Sequence, residues 1–221
     1  MKPLAALLTA TLLSAASLTG CGWLEERMDI QKQTEKRFRL NPNPKEAYRI
    51  RIKIDGAPGP MKLMTEMYTG YKAWNCQYTI NHFEGADTEP AKDIQTPMQS
   101  IGENEYETVV YFDAMLDEDY FGQGVCHWEP ENFGVSFKAT GKPEETEFNV
   151  SDVMENLLKE KKLVKYYWNG AYPYYRNDDG TVYLRSDGTN FTDFGEPLEW
   201  FSPERRQDLF SITITFEEVK P

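Results

Sequence analysis

Histidine and cysteine are scarce in these 221 residues: two of the first, three of the second. With only His82 and His127 available, hydrolase chemistry has little to draw on. A Ser-His-Asp triad needs a nucleophile held beside a histidine. Neither histidine lies in a nucleophile-elbow motif, and no Gly-x-Ser-x-Gly occurs. A phosphate-cradling Gly-Lys loop and a dinucleotide fingerprint are also missing. The spacings Cys76-x5-His82 and Cys126-His127 do not match the short ligand pairs of zinc sites. Asp178-Asp179-Gly180 resembles a fragment of a calcium loop but lacks the ligand series and the closing glutamate. No catalytic residue, metal or cofactor is therefore expected. Among 36 acidic residues some pair always suits glycosidase work, so carboxylates alone nominate no enzyme.

Positive charge is the second shortage. Lys and Arg number 24 against 36 Asp and Glu, a formal net charge of −12. A nucleic-acid binder needs a basic footprint, so that class is excluded, as is simple adhesion to anionic lipid. Acidity suits a basic partner, because complementary charge speeds encounter and rejects wrong partners. It also keeps a surface soluble with no partner at all, and composition leaves both readings open.

Long apolar runs are absent after residue 20. Before it, Met1-Lys2 gives a positive start, followed by Leu4, Ala5, Ala6, Leu7, Leu8, Leu12, Leu13 and Leu18. This run falls short of the roughly 20 apolar residues of a membrane span and fits a secretory leader. It ends in Leu18-Thr19-Gly20-Cys21, which resembles the lipobox of bacterial lipoproteins. That resemblance covers the first 21 residues. It implies that residues 1–20 are removed and that Cys21 is lipidated. Three acyl chains would hold the protein to a membrane, since each buried methylene contributes about 0.8 kcal/mol. Gly22 stands where enterobacterial lipoproteins retained in the inner membrane carry aspartate, so the resemblance implies the periplasmic face of the outer membrane. Loss of Lys2 with the leader leaves 201 residues, with 23 basic against 36 acidic and a charge of −13.

With Cys21 used by lipid, Cys76 and Cys126 remain. In an oxidising compartment a disulfide between them is the favoured reading, with two free thiols as the alternative. The bridge would span 50 residues, worth about 4 kcal/mol in the chain-entropy model.

Residues 21–45 read as a tether: mixed charge, few apolar positions, and a stiff Asn41-Pro42-Asn43-Pro44 break. Residues 46–221 read as a single domain. Tyr48-Arg49-Ile50-Arg51-Ile52-Lys53-Ile54 alternates strictly, as a half-buried strand does. Further strands are expected at residues 62–68, 74–80, 106–115, 133–140, 163–168 and 210–219. Residues 85–99 read as a polar surface loop. Residues 149–162 carry the helix signal, with Ser151 as N-cap and Val153, Met154, Leu157 and Leu158 on one stripe. Asn177-Asp178-Asp179-Gly180 and Ser186-Asp187-Gly188 read as turns. Together these give a mainly β chain: an antiparallel β-sandwich-like domain with one short helix.

Two stretches are candidate partner-binding sites. Tyr166, Tyr167, Trp168, Tyr172, Tyr174, Tyr175 and Tyr183 crowd together, and rigid amphipathic rings make interface anchors. Alternate members could instead fill the core, so Tyr172, Tyr174 and Tyr175, around Pro173, are the ones nominated. The second stretch is Asp117, Glu118, Asp119, Tyr120 and Phe121, acid plus aromatics on a turn near Cys126. The overall plan is similar to that of periplasmic immunity lipoproteins, which implies a protein partner such as a basic toxin or hydrolase. An envelope-assembly lipoprotein and a glycan binder are the alternatives.

Overall fold

The alternating stretch at residues 48–54 becomes the middle of a sheet. The computed structural model describes residues 19–219 except residue 83, with side chains from Arg27 onward; residues 1–18 of the expected leader therefore lie outside the described residues, as does the side chain of Cys21. Thirteen strands follow in order: β1 (Ala47–Asp55), β2 (Lys62–Leu63), β3 (Met67–Lys72), β4 (Tyr78–Asn81), β5 (Ala86–Thr88), β6 (Ala91–Thr96), β7 (Gln99–Gly102), β8 (Glu105–Tyr111), β9 (Glu129–Lys138), β10 (Glu147–Val153), β11 (Lys162–Trp168), β12 (Thr192–Asp193) and β13 (Leu209–Glu218). Helix α1 (Thr19–Glu35) precedes them, and α2 (Met154–Glu160) lies between β10 and β11.

One sheet has the order β11-β13-β1-β8-β7, the other β12-β10-β9-β3-β6 with β2 added beside β9. The ladders are antiparallel apart from the short β10–β12 pair. Period two puts Ile50, Ile52 and Ile54 inward and Arg51 and Lys53 outward. Across the ladder Ile50 faces Phe216, Ile52 faces Ile214 and Ile54 faces Ile212. These side chains meet Phe133, Val135, Phe137, Phe148 and Val150 of the second sheet in one core. The mainly antiparallel, β-sandwich-like expectation holds.

Several local expectations do not. Residues 85–99 are not a loop: they hold β5, β6 and the start of β7. Strand β6 is a sheet edge paired only to β3, so its half-covered Lys92, Ile94 and Thr96 need not be strongly apolar, and Pro90 and Pro97 flank it rather than interrupt it. The expected helix at 149–162 shrinks to α2. Residues 147–153 form β10 instead, because Phe148 and Val150 fill the sandwich core, and tertiary burial outweighs helix propensity. Ser151 is thus not the N-cap. Val153 holds that position, with no side-chain cap. Lys161 ends α2 in the left-handed region, its N–H donating to Leu157 O. The strand expected at 74–80 is confined to β4.

The stretch read as tether is helical in α1 and packed beyond it. Arg27 pairs with Glu84, and Thr34 and Phe38 are buried. Leu116 N–H donates to Arg39 O (2.9 Å) and Asn41 N–H to Ala114 O (2.8 Å). The folded body thus begins before residue 46, because Phe38 is a core residue whose charged neighbours, Arg37 and Arg39, are both exposed. Among the described residues, no helix is long and apolar enough to cross a membrane.

Phe148 is fully buried and touches Tyr167, Tyr172 and Phe210, with ring centroids 5.0 to 6.4 Å away. Phe148→Ala is expected to cost about 3–5 kcal/mol in urea unfolding. Leu184→Ala, at a half-exposed loop position, should stay within about 0.5 kcal/mol of the native chain.

Candidate functional site

A second core lies apart from the sandwich interior, and it takes in the nominated acidic stretch at 117–121. Phe38, Tyr71, Ala73, Cys76, Tyr78, Met115, Cys126 and Trp128 form it, with Tyr120 and Phe121 packed against them. The disulfide between Cys76 and Cys126 closes this lobe, 50 residues apart in sequence. Asn75 reinforces the bridge: its side-chain amide donates to Val125 O (2.8 Å), and its carbonyl accepts His127 N–H (2.8 Å). Residues 117–121 are laid over the bridge, with Cys126 N–H donating to Glu118 O (3.0 Å).

The nominated side chains of this loop mostly serve the loop itself. The Tyr120 ring meets Phe38 edge-on (5.4 Å), and its hydroxyl donates to Leu116 O (2.6 Å). Phe121 stacks on Tyr78 (5.4 Å). Asp119 Oδ1 accepts the N–H groups of Phe121, Gly122 and Gln123. Desolvation pushes the Asp119 carboxyl up, but these backbone donors outweigh it and hold the group below its ordinary value. Glu118 pairs with Arg39, its Oε2 2.9 Å from the guanidinium Nε. Asp117 accepts Trp128 N–H (3.0 Å) through one oxygen and lies 2.7 Å from His127 Nδ1 through the other.

Of the turn, Asp117 nonetheless lines a cleft of 430 Å³. Glu46, Asp113, Asp117 and Glu129 line it together with Phe112, Met115, Trp128 and Pro130, and no basic residue does. Asp113 is committed to the fold, accepting the N–H groups of Lys45 (2.8 Å) and Glu46 (3.0 Å). Glu46 and Glu129 are exposed on opposite sides of the sequence, at the starts of β1 and β9. Sequence reasoning missed this cleft. Its four carboxylates span 83 residues, and only the β1–β8 pairing, which sets Ala47 opposite Tyr111, hints that Glu46 and Asp113 meet.

The nominated tyrosine stretch lies elsewhere, against the main core. Tyr172 donates to Pro60 O (2.9 Å) and stacks on Phe148. Tyr175 N–H donates to Thr146 Oγ1 (2.7 Å), and its ring packs on Phe191 (5.1 Å) and Tyr183 (6.1 Å). Tyr174 has only the Arg176 guanidinium over its ring, at 5.9 Å. Of the wider cluster, Tyr167 is fully buried and donates to Asn149 O (2.8 Å). The two nominated stretches thus belong to different cores and do not form one surface patch. The large apolar side chains that stand out most, Trp200, Met28, Leu40 and Phe194 at 72%, 68%, 60% and 60% exposure, were not nominated.

Among the described residues no group of three or more His, Cys, Asp or Glu side chains is placed to hold a metal ion. No family model, curated protein or solved structure matches this chain.

Replacing both cysteines, as Cys76→Ala with Cys126→Ala, removes the cross-link, and a 50-residue loop is worth about 4 kcal/mol. Urea unfolding followed by tryptophan fluorescence should show a loss of that order. Asp193 in β12 offers a pH test. Burial raises its carboxyl above 3.8, the Gly195 N–H works the other way, and nearby Glu196 raises it further. The folded state therefore binds more protons than the unfolded state above pH 3.8, and stability falls as pH rises through that window. Asp193→Asn, which keeps an acceptor for Gly195, should melt higher than the native chain at pH 7. It should show no advantage at pH 3, and equal melting points at pH 7 would refute the assignment.

Proposed function

We propose that this chain is a lipid-anchored protein-binding module, facing the periplasm from the outer membrane, that neutralises a basic protein as an immunity protein neutralises a secreted effector or hydrolase. The lipobox-like Leu18-Thr19-Gly20-Cys21 supports the anchor, and the Cys76–Cys126 bridge suits an oxidising compartment. The observation that carries the binding reading is the disulfide lobe itself. It fixes an acid-lined cleft on a cross-linked, aromatic-packed base, and a rigid site loses little freedom on binding. The charge of −13 adds long-range attraction for a basic partner and repels acidic ones.

A second reading draws on one specific feature. Strand β7 ends its sheet, is exposed along its length and leaves a ladder edge unpaired. An envelope-assembly component would dock there by adding a strand. A glycan-binding role would rest on the tyrosine cluster, where Tyr174 is the nominated ring with the least packing around it.

The test uses oxidised chain covering residues 21–221 with Cys21→Ser, incubated with native envelope extract and with effector proteins encoded beside its gene. The neutralising reading expects recovery of one basic hydrolase or effector, stoichiometric inhibition of its activity, and loss of binding when salt rises from 0.05 to about 0.5 M, where screening shortens the Debye length severalfold. Recovery of assembly-machine subunits alone supports the strand-edge reading, and a basic hydrolase that binds but keeps its full activity overturns neutralisation.

A further inference from the structure

Helix α1 makes the expected tether part of the folded body, and it is held at both ends. Near its start, Arg27 pairs with Glu84, which lies between β4 and β5. Glu84 is itself fixed: Asn81 Nδ2 donates to its carboxylate (3.0 Å), and its N–H donates to Asn81 Oδ1 (3.1 Å). At the other end Thr34 is buried, and Phe38 enters the same core as Tyr78 at the start of β4. The helix therefore packs along β4, antiparallel to it, with its first residues beside the β4–β5 turn. Its Gln31 and Glu35 also line a 230 Å³ cleft with Ala91, Lys92 and Asp93 of β6.

This docking limits how far the body can stand from its anchor. The backbone of Cys21, the position a lipobox would acylate, lies in α1 six residues before Arg27. That is about 9 Å along the helix axis, and six residues span only about 20 Å even when fully extended. A free tether of residues 21–45 would instead reach about 80 Å. A folded body of this length is roughly 40 Å across, so an anchor this short cannot bring the far side of the sandwich to the bilayer. The side it does bring is the β4–β5 turn, where Glu84, Gly85 and Asp87 are exposed. Carboxylates favour headgroups and water over hydrocarbon, so this end faces the membrane and the acyl chains do the holding. The acid-lined cleft follows the opposite end of α1. From Glu35 the chain passes through Phe38 to Asn41 and Glu46, and both of these line it.

We propose that the N-terminal end of α1 and the β4–β5 turn form the membrane-facing surface of this protein, and that α1 is a docked strut rather than a tether. The occupant of that surface is the headgroup layer of the bilayer that takes the acyl chains of Cys21. This rests on the lipid-anchored reading above and adds the orientation in which the body is held. A strut of this kind keeps one end of the disulfide lobe at the membrane and leaves the cleft, beyond the other end of the helix, open to a partner.

The experiment uses the chain from residue 21, oxidised at Cys76–Cys126 so that Cys21 is its one free thiol. That thiol is joined to a maleimide lipid in phosphatidylcholine vesicles containing a lipid with a nitroxide headgroup, a short-range quencher. A fluorophore is carried on an unnatural side chain at Asp87 or, in a second chain, at Ser186, both exposed. Ser186 adjoins Arg185, which reaches Thr192 of β12 (3.5 Å), and β12 is at the opposite edge of its sheet from β6. The fluorophore at Asp87 should lose most of its emission and that at Ser186 little. Inserting about twenty Gly and Ser residues after Gly22, a flexible coil, should bring the two positions to equal quenching. Equal quenching without the insert, or stronger quenching at Ser186, overturns the proposal. A difference that survives the insert also overturns it, because the surface would then adhere without the strut. The anchor reading fails separately, by the intact mass of the native chain purified from membranes. An unacylated Cys21 removes the anchor and the proposal with it, whereas an acylated Cys21 with equal quenching keeps the anchor and removes the orientation alone.

Discussion

Strand β1 is bonded to β13 on one side and β8 on the other, and its side chains alternate between isoleucine and base. A slip of one residue would send Ile50, Ile52 and Ile54 to water and drive Arg49, Arg51 and Lys53 into the core. No other register is tolerable, and the consequences reach beyond the sandwich. The β1–β8 ladder sets Ala47 opposite Tyr111, and the pairing continues past both strands: Phe112 N–H donates to Glu46 O, and Leu40 bridges Met115. The ladder that orders the main core therefore also carries residues 38–46 alongside 112–116. It delivers Phe38 to the disulfide lobe and puts Glu46 beside Asp113 on the cleft.

The two cores are stabilised in different ways. The sandwich interior has enough alternating apolar strand to fill itself, with 20 buried residues in one cluster, each large side chain contributing about 1.5–3 kcal/mol. The disulfide lobe has eight among the described residues, and apart from Tyr71 at the end of β3 its strand residues come from the short β4–β5 pair. Strand length cannot order it, so cross-linking and aromatic contacts do. Trp128 and Phe38 lie 4.9 Å apart edge-on, and Tyr120 completes the set. A lobe organised in this way is rigid without being large, which suits the binding surface proposed for it.

Much of the sandwich was legible because its strands alternate cleanly. Ile50, Ile52 and Ile54 read as the inward face of a strand from sequence, and all are buried. The pairing of Cys76 with Cys126 followed from having two cysteines left. What failed to show were features that depend on distant chain. Strand β6 is polar because only one edge and half of one face are covered. Residues 149–153 carry a helical stripe, but β9 recruits them as a strand. The acidic turn at 117–121 read as a binding loop because its composition suits one. Its rings also cover a core whose other members, Phe38 and Tyr78, lie 42 to 83 residues away.

Acidity itself needs the same correction. Counted in sequence, every carboxylate looks available to a basic partner, but a large share are structural. Glu145, only 2% exposed, takes N–H groups from Thr140, Gly141 and Lys142; desolvation would raise its carboxyl, and these donors outweigh it and hold it low. Asp179 and Asp187 each accept the hydroxyl and backbone N–H of the threonine two residues on, in two turns of the same form, and both are held low by those bonds. Such groups strengthen the fold above their ordinary pKa, and that contribution is lost as pH falls through the depressed value. They lend the surface a diffuse negative field that speeds encounter, but they have few acceptor positions left to offer. Selectivity must come from the carboxylates the fold leaves unbonded, and on the disulfide lobe those include Glu46 and Glu129. On the proposed reading, net charge attracts a class of partner, whereas the placement of the unbonded carboxylates on the cleft chooses a member of it.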